Sequence, residues 1–159
     1  MVIRSNYIIF AHDMSKSEEK RQQDIRSSLI LPNDVQEVPR LAEFVDAACE
    51  AAGFDMSTTM QMNLAIEEAV VNVMDYAYPL GQEGDIEIRI MSDGKTLKTI
   101  IIDSGVAFDP TVKEKADTSL SAEDRQIGGL GILLVRELMD AINYERNNGK
   151  NVLTLIKNI

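Results

Sequence analysis

The chain has 159 residues, 45% hydrophobic and 26% charged, the balance of one soluble domain long enough to bury a single core. Its 16 Lys+Arg against 26 Asp+Glu leave a net charge of −10, which argues against direct nucleic-acid binding through the phosphate backbone. No stretch has the apolar length of a membrane span, the N-terminus lacks a signal-peptide layout, and one cysteine with one histidine excludes a disulfide scaffold or a His/Cys zinc site. A reducing cytoplasm is the expected compartment, Cys49 reads as a small helix-core residue and His12 as a solvated one.

Residues 1–24 turn from a short apolar run into "HDMSKSEEKRQQD" and read as a poorly ordered extension, so that one domain covers 25–159. A strand is predicted over Arg26–Leu31, stopped by Pro32-Asn33. Helical spacing of Leu41, Phe44, Val45 and Ala48 predicts a helix from Val38 to Ala52, with Gly53 as its stop. A second helix opens with Ser57 or Thr58 as N-cap and runs to about Tyr78. "DIEIRI" (85–90) and "TLKTIIID" (96–103) form a hairpin across Asp93-Gly94. Residues 111–128 are a long polar loop, a third helix begins after Gly131, and "INYER" and "NVLTLI" close the domain as a hairpin across Asn147-Asn148-Gly149. This order gives an α+β class: a two-layer α/β sandwich with a mostly antiparallel, mixed sheet and helices on one face.

Inside the second helix, "EEAVVNVMDYAYP" (67–79) sets Glu68, Asn72 and Asp75 at i, i+4 and i+7, on one narrow stripe. Met62, Ile66, Ala69, Val70, Val73 and Ala77 cover the opposite side, while Leu64 and Val71 flank the stripe. It is either the helix's solvent edge or the lining of a polar pocket, and the apolar flanks favour the pocket. An amide and carboxylates a turn apart suit a hydrated divalent cation such as magnesium. In "IIIDSGVAFDP" (100–110), Asp103 ends an apolar strand, where a carboxylate can accept from an exocyclic amine such as adenine's. Gly105 then permits the close approach of a flat base. "GGLGILLVRELMD" (128–140) runs a glycine cluster into a helix, whose free N–H groups form an anion site.

In combination and order, these motifs resemble the ATP-binding (Bergerat-type) fold shared by DNA gyrase, heat-shock chaperones, bacterial histidine kinases and mismatch-repair ATPases. Within that group the chain is most similar to the bacterial anti-sigma factor serine/threonine kinases of partner-switching systems, from about residue 26 to 157. The resemblance implies ATP and Mg²⁺ as cofactors, Glu68 as general base and Asn72 as the magnesium ligand. It implies Asp103 as the reader of adenine with Gly105 beneath the base, Gly129 and Gly131 along the phosphates, and the 111–128 loop as a lid. Ala107 and Leu130 complete the nucleotide-binding set, and Thr154 on the final strand supports Asp103. Ile127 and Gly128 stand where an arginine often precedes the glycine box, so Arg125 is the cation expected to reach in from the lid, and Tyr76 replaces a common histidine. The implied partners are a sigma factor and a small antagonist carrying the phosphorylated serine or threonine, held by a homodimer. The rival reading is an ATP-binding module that sequesters a partner without phosphorylating it. "IIIDSG" also resembles an aspartic-protease motif, but that chemistry needs two such aspartates and the chain has one copy.

Overall fold

A computed structural model describes residues 9–10, 25–112 and 128–158, with the side chains of Ile9, Phe10, Ile25 and 128–130 left aside. In chain order come β1 (Ile9–Phe10), β2 (Ile25–Pro32), a 3-10 turn (Val35–Glu37), α1 (Val38–Ala52), α2 (Met56–Tyr76), β3 (Asp85–Ser92), β4 (Thr96–Asp103), α3 (Gly128–Leu138), β5 (Ala141–Asn147) and β6 (Lys150–Asn158). The strands form one sheet in the order β1-β2-β3-β4-β6-β5. Every pairing in it is antiparallel, so the expected mixed character is absent among the described residues. Two residues of the expected extension, Ile9 and Phe10, pair with Ser27 and Arg26 at the edge of the sheet.

Strict alternation in β3 and β4 puts Ile86, Ile88, Ile90, Leu97 and Ile101 on one face, all buried. The helices supply the other half of this core, with Leu41, Phe44 and Val45 from α1, Met62, Ile66 and Val70 from α2, and Val135 from α3. Cys49 is buried on α1, where desolvation pushes its thiol up to about 11, as befits an inert core residue. The opposite face of the sheet has half-exposed Ile100, Ile102 and Val152.

The cross-strand rows decide where a site can be. On the core face, Leu29, Ile88, Ile101, Leu153 and Tyr144 face one another in register across β2, β3, β4, β6 and β5. The next row reads Leu31, Ile86, Asp103, Asn151 and Arg146. Halfway across the sheet that row changes from apolar to polar, yet Asp103 and Asn151 are only 3% and 2% exposed. Buried groups of that kind are costly unless paired, and their pairing builds one end of the site.

Two helix boundaries differ from expectation. Asp55, not Ser57 or Thr58, caps α2, its carboxylate accepting from Thr58 N at 2.7 Å, and the helix ends at Tyr76 because Ala77 is the cap and Tyr78 turns inward. The glycine cluster does not precede α3 but forms its first turn, starting at Gly128. Arg125, His12 and nearly all of the expected lid lie outside the described residues.

Candidate functional site

Helix α2 sets Glu68 and Asn72 one turn apart on one side, as the sequence predicts, and the structure turns that side toward α3. Asn72 is 8% exposed, and its side-chain nitrogen donates to the Glu68 backbone oxygen at 2.8 Å. With the nitrogen used inside the helix, the carbonyl oxygen is what Asn72 can offer a ligand. Asp75 departs from the predicted stripe: it is exposed, and Leu64 beside the stripe is exposed as well. The polar lining is therefore Glu68 and Asn72.

Gly131 covers this pair. A methyl group at Gly131 would overlap Glu68 Oε2 and stand 3.4 Å from Asn72 Nδ2, so the absence of a side chain lets α3 rest on the carboxylate. Gly129 and Leu130 occupy the same first turn, whose leading N–H groups have no partner within the helix.

Gly105 makes a second close approach, at the C-terminal cap of α2. A methyl group there would overlap the backbone oxygen of Ala77, and Val106 N donates to that oxygen at 2.7 Å. The glycine is thus required by the end of α2 and not, as the sequence suggested, only by a flat ligand. The Tyr78 hydroxyl donates to Asp85 O at 3.0 Å and accepts from Ser104 N at 3.2 Å, fastening the same loop to β3. Further along, Ala107 is exposed, Phe108 stacks on Tyr76 with centroids 5.3 Å apart, and Arg136 of α3 donates to Thr111 O.

Asp103 stands at the end of β4 as predicted. Its Oδ1 accepts from Gly105 N at 2.9 Å and from Asn151 Nδ2 at 2.8 Å. Desolvation raises the Asp103 carboxyl above its ordinary value, opposed by Asn151, the Gly105 N–H and the Arg146 guanidinium. The supporting residue on the final strand is Asn151 and not Thr154. Thr154 pairs with Ile100, and the two-residue side-chain period turns it to the opposite face of the sheet. Sequence reasoning missed Asn151, and with it Tyr144, Arg146 and Tyr78. The available signal was a polar residue in step with Leu153 and Leu155 on the buried face of its strand.

The chain is similar to several known proteins. Residues 31–157 match the family described as the histidine kinase-like ATPase domain. The serine/threonine-protein kinase BtrW of Bordetella bronchiseptica is 33% identical over 94 residues, 59% of this chain and 66% of that protein. The serine-protein kinase RsbW of Listeria monocytogenes is 27% identical over 106 residues, 64% of this chain and 68% of that protein. The chain thus spans about two thirds of the length of these relatives. Among solved structures, the histidine kinase domain from the Erythrobacter litoralis EL346 blue-light activated histidine kinase aligns with a TM-score of 0.50 at 15% identity, over 76% of this chain and 58% of that one, a likeness of fold. The family match takes in all three helices and strands β3 to β6, and the chain belongs to the histidine kinase-like ATPase domain family.

Proposed function

We propose that the chain is a Mg-ATP-dependent protein serine/threonine kinase of the partner-switching type. It phosphorylates a small antagonist protein and, in the alternate state, sequesters a sigma factor in the cytoplasm. The observation that carries this reading is the pair of glycine contacts on α2, Gly105 against Ala77 and Gly131 against Glu68. At about 1.5 Å per residue, those points lie about 14 Å apart along the helix, of the order of an extended nucleoside triphosphate. Its relatives' names as serine or serine/threonine kinases support the choice of reaction.

In this reading the free oxygen of Asp103 accepts from the adenine amine, and Gly105 and Ala107 line the base. Gly129, Leu130 and Gly131 face the phosphates with the N-terminal turn of α3, and Arg125 supplies the cation from the 111–128 segment. Glu68 accepts the proton of the substrate hydroxyl as that oxygen bonds to the terminal phosphorus and the bond to ADP breaks. No group of three or more His, Cys, Asp or Glu side chains among the described residues could hold a metal by itself. The donor set fits Mg²⁺ nonetheless, because that ion keeps water and phosphate oxygens and needs only one or two protein ligands, here the carbonyl of Asn72. When bound, the ion neutralises charge on the phosphates. No helix among the described residues is long and apolar enough to cross a membrane. Half-exposed Ile100, Ile102 and Val152, set among Glu87, Arg89 and Thr154 on the outer face of the sheet, offer a mixed surface that a second copy of the chain would cover in a homodimer.

The test is incubation with terminally labelled Mg-ATP and a candidate antagonist. Label on serine or threonine with the wild-type chain, and none with Glu68→Gln, is the expected result. Ile127 and Gly128 in place of an arginine favour the second reading, a binding module. Tight ATP binding with no label transferred would establish that reading and overturn the kinase.

A further inference from the structure

We propose that Asn151, braced by Tyr144 and Arg146, is the positioning residue that sets base selectivity, by fixing one oxygen of Asp103 and leaving the other to meet the base. This rests on the ATP-binding reading above and adds how adenine is preferred to guanine.

Both donors that reach the Asp103 carboxylate among the described residues, Gly105 N at 2.9 Å and Asn151 Nδ2 at 2.8 Å, land on Oδ1. An ionised carboxylate accepts on both oxygens, so Oδ2 keeps its own acceptor capacity. Asn151 has one workable orientation. Its nitrogen faces two acceptors, Asp103 Oδ1 and Val106 O, each at 2.8 Å. Its oxygen faces three donors: the Tyr144 hydroxyl and Arg146 guanidinium, each at 2.7 Å, and Phe108 N at 3.4 Å. A flipped amide would set donor against donor and acceptor against acceptor. Arg146 also donates to Gly105 O at 3.1 Å, so the clamp holds the loop as well as the carboxylate.

The selectivity follows from charge state. Adenine presents an amine where guanine presents a carbonyl. An ionised Asp103 accepts from the first and repels the second, whereas a protonated Asp103 can donate to a carbonyl. What keeps Asp103 ionised in its buried setting therefore keeps the site selective. Asn151, the Gly105 N–H and Arg146 favour the charged form against desolvation. The other ionisable groups facing this cluster are Tyr144 from β5, and Tyr78, which bridges Ser104 and Asp85.

The full chain is titrated with ADP and with GDP by calorimetry across acid to neutral pH, for wild type, Asn151→Ala, Asn151→Asp and Tyr144→Phe. Asn151→Ala should lose about tenfold or more in ADP affinity at neutral pH, narrow the ADP-to-GDP ratio, and lose ADP binding at a higher pH on acidification. Asn151→Asp should go further the same way, since two adjacent carboxylates share a proton. Tyr144→Phe, which removes one donor and little volume, should shift all three readouts less, and it carries the test if the Asn151 variants fail to fold. Reduced thermal stability with an unchanged ADP-to-GDP ratio and an unchanged acid limb would make the clamp merely structural and overturn the proposal. A wild-type chain that binds no ADP would instead overturn the functional reading itself.

Discussion

Two points along α2, mid-helix at Glu68 and the C-terminal cap at Ala77, carry the two halves of the candidate site, and they are built differently. Beside Ala77, hydrogen bonds from four separate segments converge: Gly105 and Val106 after β4, Asn151 on β6, Tyr144 and Arg146 on β5, and Tyr78 after α2. Each partner there is held by another, so the Asp103 carboxylate is placed before any ligand arrives. Beside Glu68, Asn72 bonds within its own helix and Gly131 offers only a bare backbone surface. The point beside Ala77 is fixed by many cross-segment bonds; the point beside Glu68 is set by how closely α3 rests on α2. On the proposed function, the many-partnered point is where the base would be read and the sparsely bonded point is where the phosphoryl group would move.

Substitutions at the two points should therefore fail in different ways. The largest effect is expected for Glu68→Gln, which leaves packing intact and removes the proton acceptor. Phosphoryl transfer should fall by about 10²- to 10⁴-fold, with ADP affinity nearly unchanged in a parallel calorimetric titration. Next comes Asp103→Asn, which should weaken ADP binding by about 1.5–3 kcal/mol. The same variant should not destabilise the nucleotide-free fold at neutral pH. Because the folded Asp103 carboxyl is raised, its contribution to stability is fully present below the ordinary carboxylate value and is lost as pH rises through the raised one. Thermal melts against pH should show that loss in the wild type and a flatter curve in the variant.

The sharpest pair uses the two glycines. Gly105→Ala drives a methyl group into the backbone oxygen of Ala77, which cannot yield, and should cost about 1–3 kcal/mol in urea denaturation. Gly131→Ala meets only the far end of the Glu68 side chain, which can turn aside. In a helix that exchange is itself favourable by up to about 1 kcal/mol, so stability should hold or rise slightly while transfer falls, because the base has been displaced. Equal destabilisation by both substitutions would erase the distinction between the two points. Asn72→Ala should have the smallest effect without metal: ADP affinity should drop only when Mg²⁺ is present, as titrations with and without the ion would reveal.

Much of this was legible from local pattern. The bounds of α1 and β4 follow directly from helical spacing and from the apolar run that ends in Asp103, and Glu68 and Asn72 share one side of α2 as the helical period requires. What escaped depends on distant partners. Whether Thr154 or Asn151 meets Asp103 is decided by the pairing register of β4 with β6, which no single segment encodes. The first turn of α3 is helical despite its glycines because packing against α2 outweighs their poor propensity. Asp75 failed because a shared stripe does not imply shared cover.

The sheet order has a consequence for assembly. Strand β6 enters between β4 and β5, although every other described element precedes it in the chain. The Asn148-Gly149 turn, with φ of 50° and 79°, matches the mirror-image turn that suits tight hairpins, so β5 and β6 can pair locally first. Their docking onto β4 then brings Asn151 to Asp103 across 48 positions of sequence, a slow, non-local step of folding. During synthesis the nascent chain would display Asp103 long before its clamp existed. The Asp103 clamp would thus be completed late and all at once, when the hairpin seats.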